Sequence, residues 1–130
     1  MPSQPCQELS IVGRRLRERR EALGMALEKV GIAIGLDESC ARARISRYEL
    51  GVHEPPLNTV KRLAAALQVS VAYLYCEDED IARLLLSLYA LPAKQRGEMI
   101  QTFQSLLPSR PVQADACGKH GQAGQKRPKV

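Results

Sequence analysis

The chain has 130 residues, 45% hydrophobic, 25% charged and only 4% aromatic, with a formal net charge of +5. That length holds one compact domain with extensions, and the basic balance favours a polyanion, nucleic acid or an anionic membrane surface, over an acidic partner. No apolar run is long enough to span a bilayer, the four cysteines (Cys6, Cys40, Cys76, Cys117) form neither a metal pair nor a disulfide framework, and no Gly-rich phosphate loop, His-Glu-x-x-His or Ser/His/Asp set speaks for catalysis, a metal or a cofactor.

Residues 1–9 carry two prolines and no periodicity and read as a flexible arm, without the charged-then-apolar layout of a signal peptide. Ser10 is a suitable N-cap for a first helix over 11–23, with Ile11, Val12, Leu16, Ala22 and Leu23 apolar and most other positions arginine or glutamate. Its arginines (Arg14, Arg15, Arg17, Arg19, Arg20), interleaved with Glu18 and Glu21, are expected to be mostly solvent-exposed. Gly24 ends this helix. A second helix covers 27–34, with Leu27, Val30 and Ile34 apolar and the small Gly31 where the next helix crosses closely. Gly35 supplies a turn. A third helix is expected over 39–50, capped by Asp37 or Ser39, and Pro55-Pro56 bars its continuation. A fourth covers 57–67, with Val60, Leu63, Ala64 and Leu67 on one face; Ser70 caps a short fifth over 71–75. Five short helices without a strand pattern make an all-α domain over 10–76.

Two helices joined by a tight glycine-containing turn, the second bearing Arg42, Arg44 and Arg47, have the layout of a helix-turn-helix reader of the DNA major groove. Arginine is the commonest side chain for bidentate recognition of guanine, and Ala43 is suited to a thymine methyl. Arg42 and Arg47 lie about 140° apart around a helix axis and straddle the face of Ala43 and Ser46. Arg44 points away from Arg42, toward a phosphate. His53, in the loop after the helix, is either a phosphate donor or an ordinary surface histidine. Cys40, at the start of the third helix beside Arg42, is either a redox-sensitive thiol or a plain half-buried one.

Residues 11–75 resemble the lambda-repressor/Cro-like helix-turn-helix proteins, the XRE family. The resemblance is carried by Gly13-Arg14-Arg15-Leu16-Arg17, Ala22-Leu23-Gly24, the Gly35 turn, Ile45-Ser46-Arg47-Tyr48-Glu49-Leu50-Gly51, Pro55, Leu63–Val71 and Tyr73-Leu74. It implies a five-helix domain working as a dimer on a two-fold operator. Position by position, it implies that Ile45 and Tyr48 are buried, that Arg42, Ala43, Ser46 and Arg47 face the groove, and that Arg20 pairs with Glu49. Two features depart from the family pattern. Ala26 and Leu27 stand where the family has a polar pair, often Thr-Gln, that helps bind a phosphate. The stretch from Gly35 to Ile45 is longer than usual, so either the turn is extended or the third helix gains a turn at its front. Arg17 and other first-helix arginines are candidates for phosphate contacts that orient the protein without reading sequence.

After Cys76 an acidic run, Glu77-Asp78-Glu79-Asp80, suits the first turn of a helix carrying Ile81, Leu84, Leu85, Leu88 and Tyr89. Leu91-Pro92 breaks it, and a seventh helix over 93–107 aligns Met99, Ile100, Phe103, Leu106 and Leu107. This 77–108 extension either caps the five-helix core or pairs across a two-fold axis through Leu84, Leu85, Leu88, Ile100, Phe103 and Leu107. Residues 109–130, rich in Gly, Gln, Pro and Lys, read as a disordered basic tail. The expected protein is a cytoplasmic, nucleoid-associated transcriptional regulator. It would bind double-stranded DNA as a homodimer and repress by occluding a promoter. The alternative is an antitoxin-like protein whose extension binds another protein and whose DNA binding is secondary.

Overall fold

A computed structural model describes residues 10–109 as seven helices: α1 (Ile11–Ala22), α2 (Leu27–Ala33), α3 (Glu38–Glu49), α4 (Leu57–Ala66), α5 (Val71–Leu74), α6 (Glu79–Tyr89) and α7 (Ala93–Leu106). No strand occurs among the described residues. The expected arm, and the expected tail except residue 109, fall outside them.

Helix starts follow from side-chain caps. The Ser10 hydroxyl accepts from the Gly13 amide at 3.1 Å, Ser70 from Tyr73 at 3.2 Å, Asp78 from Ile81 at 2.9 Å, and Asp37 from Ser39 at 2.9 Å. The last of these settles the cap of α3, and both Ser39 bonds, side chain and backbone, hold the Asp37 carboxyl below its ordinary pKa. Helix ends follow from backbone bonding. After α2, Leu36 N–H donates to Gly31 C=O at 3.0 Å and Gly35 N–H to Ile32 C=O at 3.0 Å, the paired closure of a Schellman motif. Gly35 at its centre has φ +90°, a backbone state open to glycine at little cost. The same closure ends α4 at Gln68, at φ +55° without a glycine.

The residues inserted between Gly35 and Ile45 go into α3. The turn remains short, Gly35 to Asp37, and α3 begins at Glu38, so α3 is extended at its front. Where α2 crosses α3, a Cβ on Gly31 would lie 2.5 Å from the Ala41 Cβ. Only glycine allows this approach, which brings the two helices of the motif into contact.

The core gathers Leu16, Val30, Ile34, Ile45, Tyr48, Val60, Leu63, Ala64, Leu67, Val69, Tyr73 and Leu74 from the first five helices and the turns that follow α2 and α4, and Ala82 from α6. Leu85 and Leu86 pack against the same cluster. The start of α6 is therefore part of the domain's packing as well as its chain continuation.

The first helix departs from expectation at three positions. Ala22 and Leu23, expected among its apolar positions, are both exposed, Leu23 to 38%, because they are its last residue and its C-cap. Arg15, expected in solvent, is 1% exposed. Its Nε donates to Cys76 C=O at 2.8 Å and its Nη2 to Glu77 C=O at 3.3 Å. Its Nη1 donates to Glu79 at 2.9 Å and to Glu18 at 3.0 Å. The guanidinium also lies over the Tyr73 ring, 5.7 Å from its centroid. Burial alone would lower the Arg15 pKa, but the Glu79 and Glu18 bonds outweigh it and the net shift is upward. Arg19 is also engaged, its Nε donating to Leu67 C=O at the end of α4, at 3.1 Å.

Candidate nucleic-acid interface

Helix α3 divides cleanly. Ala41 and Ile45 are fully buried, Tyr48 and Glu49 nearly so. Arg42, Ala43, Arg44 and Arg47 are exposed and Ser46 is half-buried, Arg42 and Arg44 on the flanks of the buried stripe. A period of 3.6 residues accounts for the division: positions 41, 45 and 48 fall on one stripe and 43 and 47 opposite it.

Helix α3 is held by α1 at its C-terminal end. Arg20 Nε donates to Glu49 Oε1 at 2.5 Å and Nη2 to Oε2 at 3.1 Å, while Nη1 reaches Met25 C=O at 3.0 Å. The fork thus meets both carboxylate oxygens, the geometry in which arginine is strongest. The hydrogen bond to Glu49 raises the Arg20 pKa against the opposing effect of burial. Gly13 sits at the same junction, where a Cβ would come within 2.6 Å of Tyr48 C=O and 2.7 Å of Glu49 C=O.

The outward arginines differ in their restraint. Arg42 faces Glu28 of α2 at 3.5 Å, both side chains well exposed. Arg44 and Arg47 make no ion pair among the described residues. Arg20, Ala26, Leu27, Glu28 and Arg42 line a shallow hollow of about 220 Å³. Ala26 is the N-cap of α2 and offers no side-chain bond.

Residues 11–74 match the family described as a helix-turn-helix domain. Among solved structures, the chain is similar to the crystal structure of the transcriptional regulator BswR: 36% identity, a TM-score of 0.67, and coverage of 73% of this chain and 94% of that one. A comparison with curated proteins found no match. The chain belongs to the helix-turn-helix family of transcriptional regulators.

It is accordingly a DNA-binding regulator, and α2, the Gly35 turn and α3 form its motif. Around the motif, Gly13, Arg17 and Arg20 recur at helical spacing on the side of α1 that meets α3. Arg17 is exposed, its Nε bonded to Glu21 at 3.0 Å. His53 is exposed in the loop following α3. Cys40 is half-buried, and its thiol donates to Asp37 C=O at 3.4 Å. No group of three or more potential metal ligands occurs among the described residues, and no helix there is long and apolar enough to cross a membrane.

The regulator's last two helices present a different surface. No residue of α7 is buried. Leu84, Leu88, Met99, Ile100, Phe103 and Gln104 line a hollow of about 300 Å³ between α6 and α7. Leu107 is 52% exposed at the end of α7. Leu85, grouped with these in the sequence, instead rests half-buried on the domain core. Arg96 closes the α6–α7 hairpin, donating to Leu91 C=O at 3.1 Å and stacking 5.0 Å from the Tyr89 ring centroid.

Proposed function

We propose that this regulator is an XRE-type repressor that binds an inverted-repeat operator as a homodimer. In this reading α3 enters the major groove, with Arg42, Ala43, Ser46 and Arg47 at base edges, and Arg44, Arg17 and His53 at phosphates. The observation that carries the reading is the exposed arginine face of a recognition helix whose other face is buried and whose end is tied to α1 by Arg20 and Glu49. A reading element must be held rigidly for side-chain hydrogen bonds to discriminate bases.

The dimer reading rests on α7. A 14-residue helix with no buried residue gains little from tertiary packing, and short helices are marginal by themselves in water. Pairing two α6–α7 hairpins would cover Leu84, Leu88, Ile100, Phe103 and Leu107. Two-fold symmetry then places half-sites about one helical turn, ~34 Å, apart.

The test is selection of bound sequences from a random DNA pool at near-physiological salt, with an Arg42→Ala/Arg47→Ala variant alongside. Wild type is expected to enrich an inverted repeat and the variant none. Absence of any enriched motif, with a chain that is monomeric until another protein is added, would overturn this reading in favour of an antitoxin-like one.

A further inference from the structure

Helix α1 touches the two parts of the molecule whose relative placement decides how a dimer meets DNA. Through Arg20 it holds Glu49 at the end of the recognition helix. Five residues earlier, through Arg15, it holds the segment that leads out to α6. That segment, residues 75–78, joins α5 to α6. Two of its consecutive carbonyls, Cys76 and Glu77, accept from the Arg15 guanidinium, and so does the carboxylate of Glu79, the first residue of α6.

We propose that Arg15 is a positioning residue for operator recognition: it sets the direction in which the α6–α7 hairpin leaves the domain, and so the separation between the two recognition helices. The inference rests on the dimeric DNA-binding reading above. Three observations support it. Arg15 is the largest fully buried side chain of the described residues, yet it is charged and most of its partners lie outside α1. The apolar contacts at the same junction, Ala82 with Leu85 and Leu86, are non-directional and tolerate sliding. Hydrogen bonds do not, because they weaken steeply as their angles depart from linear. A guanidinium also presents its donors in a rigid planar fork, which a lysine cannot copy. One base pair moves a half-site by about 3.4 Å along the DNA axis and turns it by about 35° around that axis, so only a hairpin free both to swing and to twist would accept several spacings.

The test measures affinity for inverted repeats whose half-sites are moved apart or together by a base pair or two, using the full chain, Arg15→Lys and Glu79→Ala. Binding to a single half-site and sedimentation are measured on the same preparations. The wild-type chain should prefer one spacing by at least about tenfold, part of the ~10²–10⁴ avidity open to well-spaced linked sites. Both variants should remain dimers with unchanged half-site affinity, and their preference should flatten until neighbouring spacings bind alike. If Arg15→Lys does not fold, Glu79→Ala decides, since Glu79 lies at the surface and its loss removes a bond without opening the core. A dimeric Glu79→Ala chain with the sharp wild-type spacing profile overturns the inference, and a merely lowered melting temperature would then be the whole of the effect. A wild-type chain that is monomeric or indifferent to inverted repeats would instead sink the dimeric reading, and the inference with it; the wild-type arm alone tells the two failures apart.

Discussion

At the scale of single residues the chain uses arginine in two physical states. Arg15 and Arg20 are withdrawn from water and bonded through most of their donors. Arg44 and Arg47 are exposed and have no ion-pair partner among the described residues. The two states predict opposite phenotypes. Glu49→Ala leaves the half-buried Arg20 with only Glu21, 3.8 Å away, as a counter-charge, and removing one half of a buried pair costs up to about 3–5 kcal/mol, to be read as a lowered midpoint in denaturant. Arg47→Ala removes an exposed side chain with no ion pair among the described residues and should change stability by no more than about 0.5 kcal/mol while removing sequence preference; a large fall in melting temperature would show that Arg47 is structural. Glu79 supplies a pH dependence. The hydrogen bond from Arg15, aided by its charge, holds the carboxyl below the ordinary value of 4.5. A depressed folded-state pKa means stability that is present above the unfolded value and is lost as pH falls through the folded one. Melting temperature should therefore drop in acid below about pH 4.5, and more gently in Glu79→Gln, which cannot titrate there. Equal slopes would remove Glu79 from the account.

At the scale of elements, the motif depends on how closely α2 and α3 approach. Gly31→Ala would put a methyl 2.5 Å from the Ala41 Cβ and 2.8 Å from its Cα. One of those atoms is backbone, so the helices must separate, and overpacking of this kind costs typically 1–3 kcal/mol. DNA affinity should fall with stability, because the same displacement tilts α3; a variant that melts like wild type would mean that the crossing relaxes freely. The extended front of α3 follows from local chemistry. Asp37 is an efficient N-cap and Glu38 favours the first helical turn, so the inserted residues gain more as helix than as loop.

At the scale of the whole molecule, the extension has an inner and an outer side. Ala82, Leu85 and Leu86 complete the core, and Leu84, Leu88, Ile100 and Phe103 face away from it. Cutting the chain after Cys76 would therefore strip the core and release Arg15, confusing loss of assembly with loss of fold. Substitution on the outer side separates them. Leu88→Lys with Phe103→Glu should yield monomers whose first domain melts nearly as before, and whose operator affinity falls through lost avidity. Sedimentation and binding to a single half-site check both halves of that expectation.

The amino-acid sequence by itself determined the seven helices to within a residue or two, the Gly35 turn and the arginine-bearing face of α3. These follow from periodicity, caps and glycine, which act over a few neighbouring residues. The order and spacing of its short motifs also pointed to a helix-turn-helix regulator, which the match over residues 11–74 and the similar solved structure bear out. What the tertiary structure alone decided concerns contacts between residues far apart in the chain. Arg15 lies on α1 among Arg14 and Arg17, but helical spacing puts it on the stripe of Val12 and Leu16 and the other two on the far side; the charge of its side chain masked that signal. It becomes buried because the Cys76 and Glu77 carbonyls and Glu79, more than 60 positions later, converge where its fork can satisfy them. Leu85 likewise shares a periodic stripe with Leu84 and Leu88, and only the docking angle of α6 turned it inward. A helical stripe is a repeating pattern; which part of it meets the core depends on how the helix is placed, and here directional bonds at Arg15 join apolar packing in setting that placement.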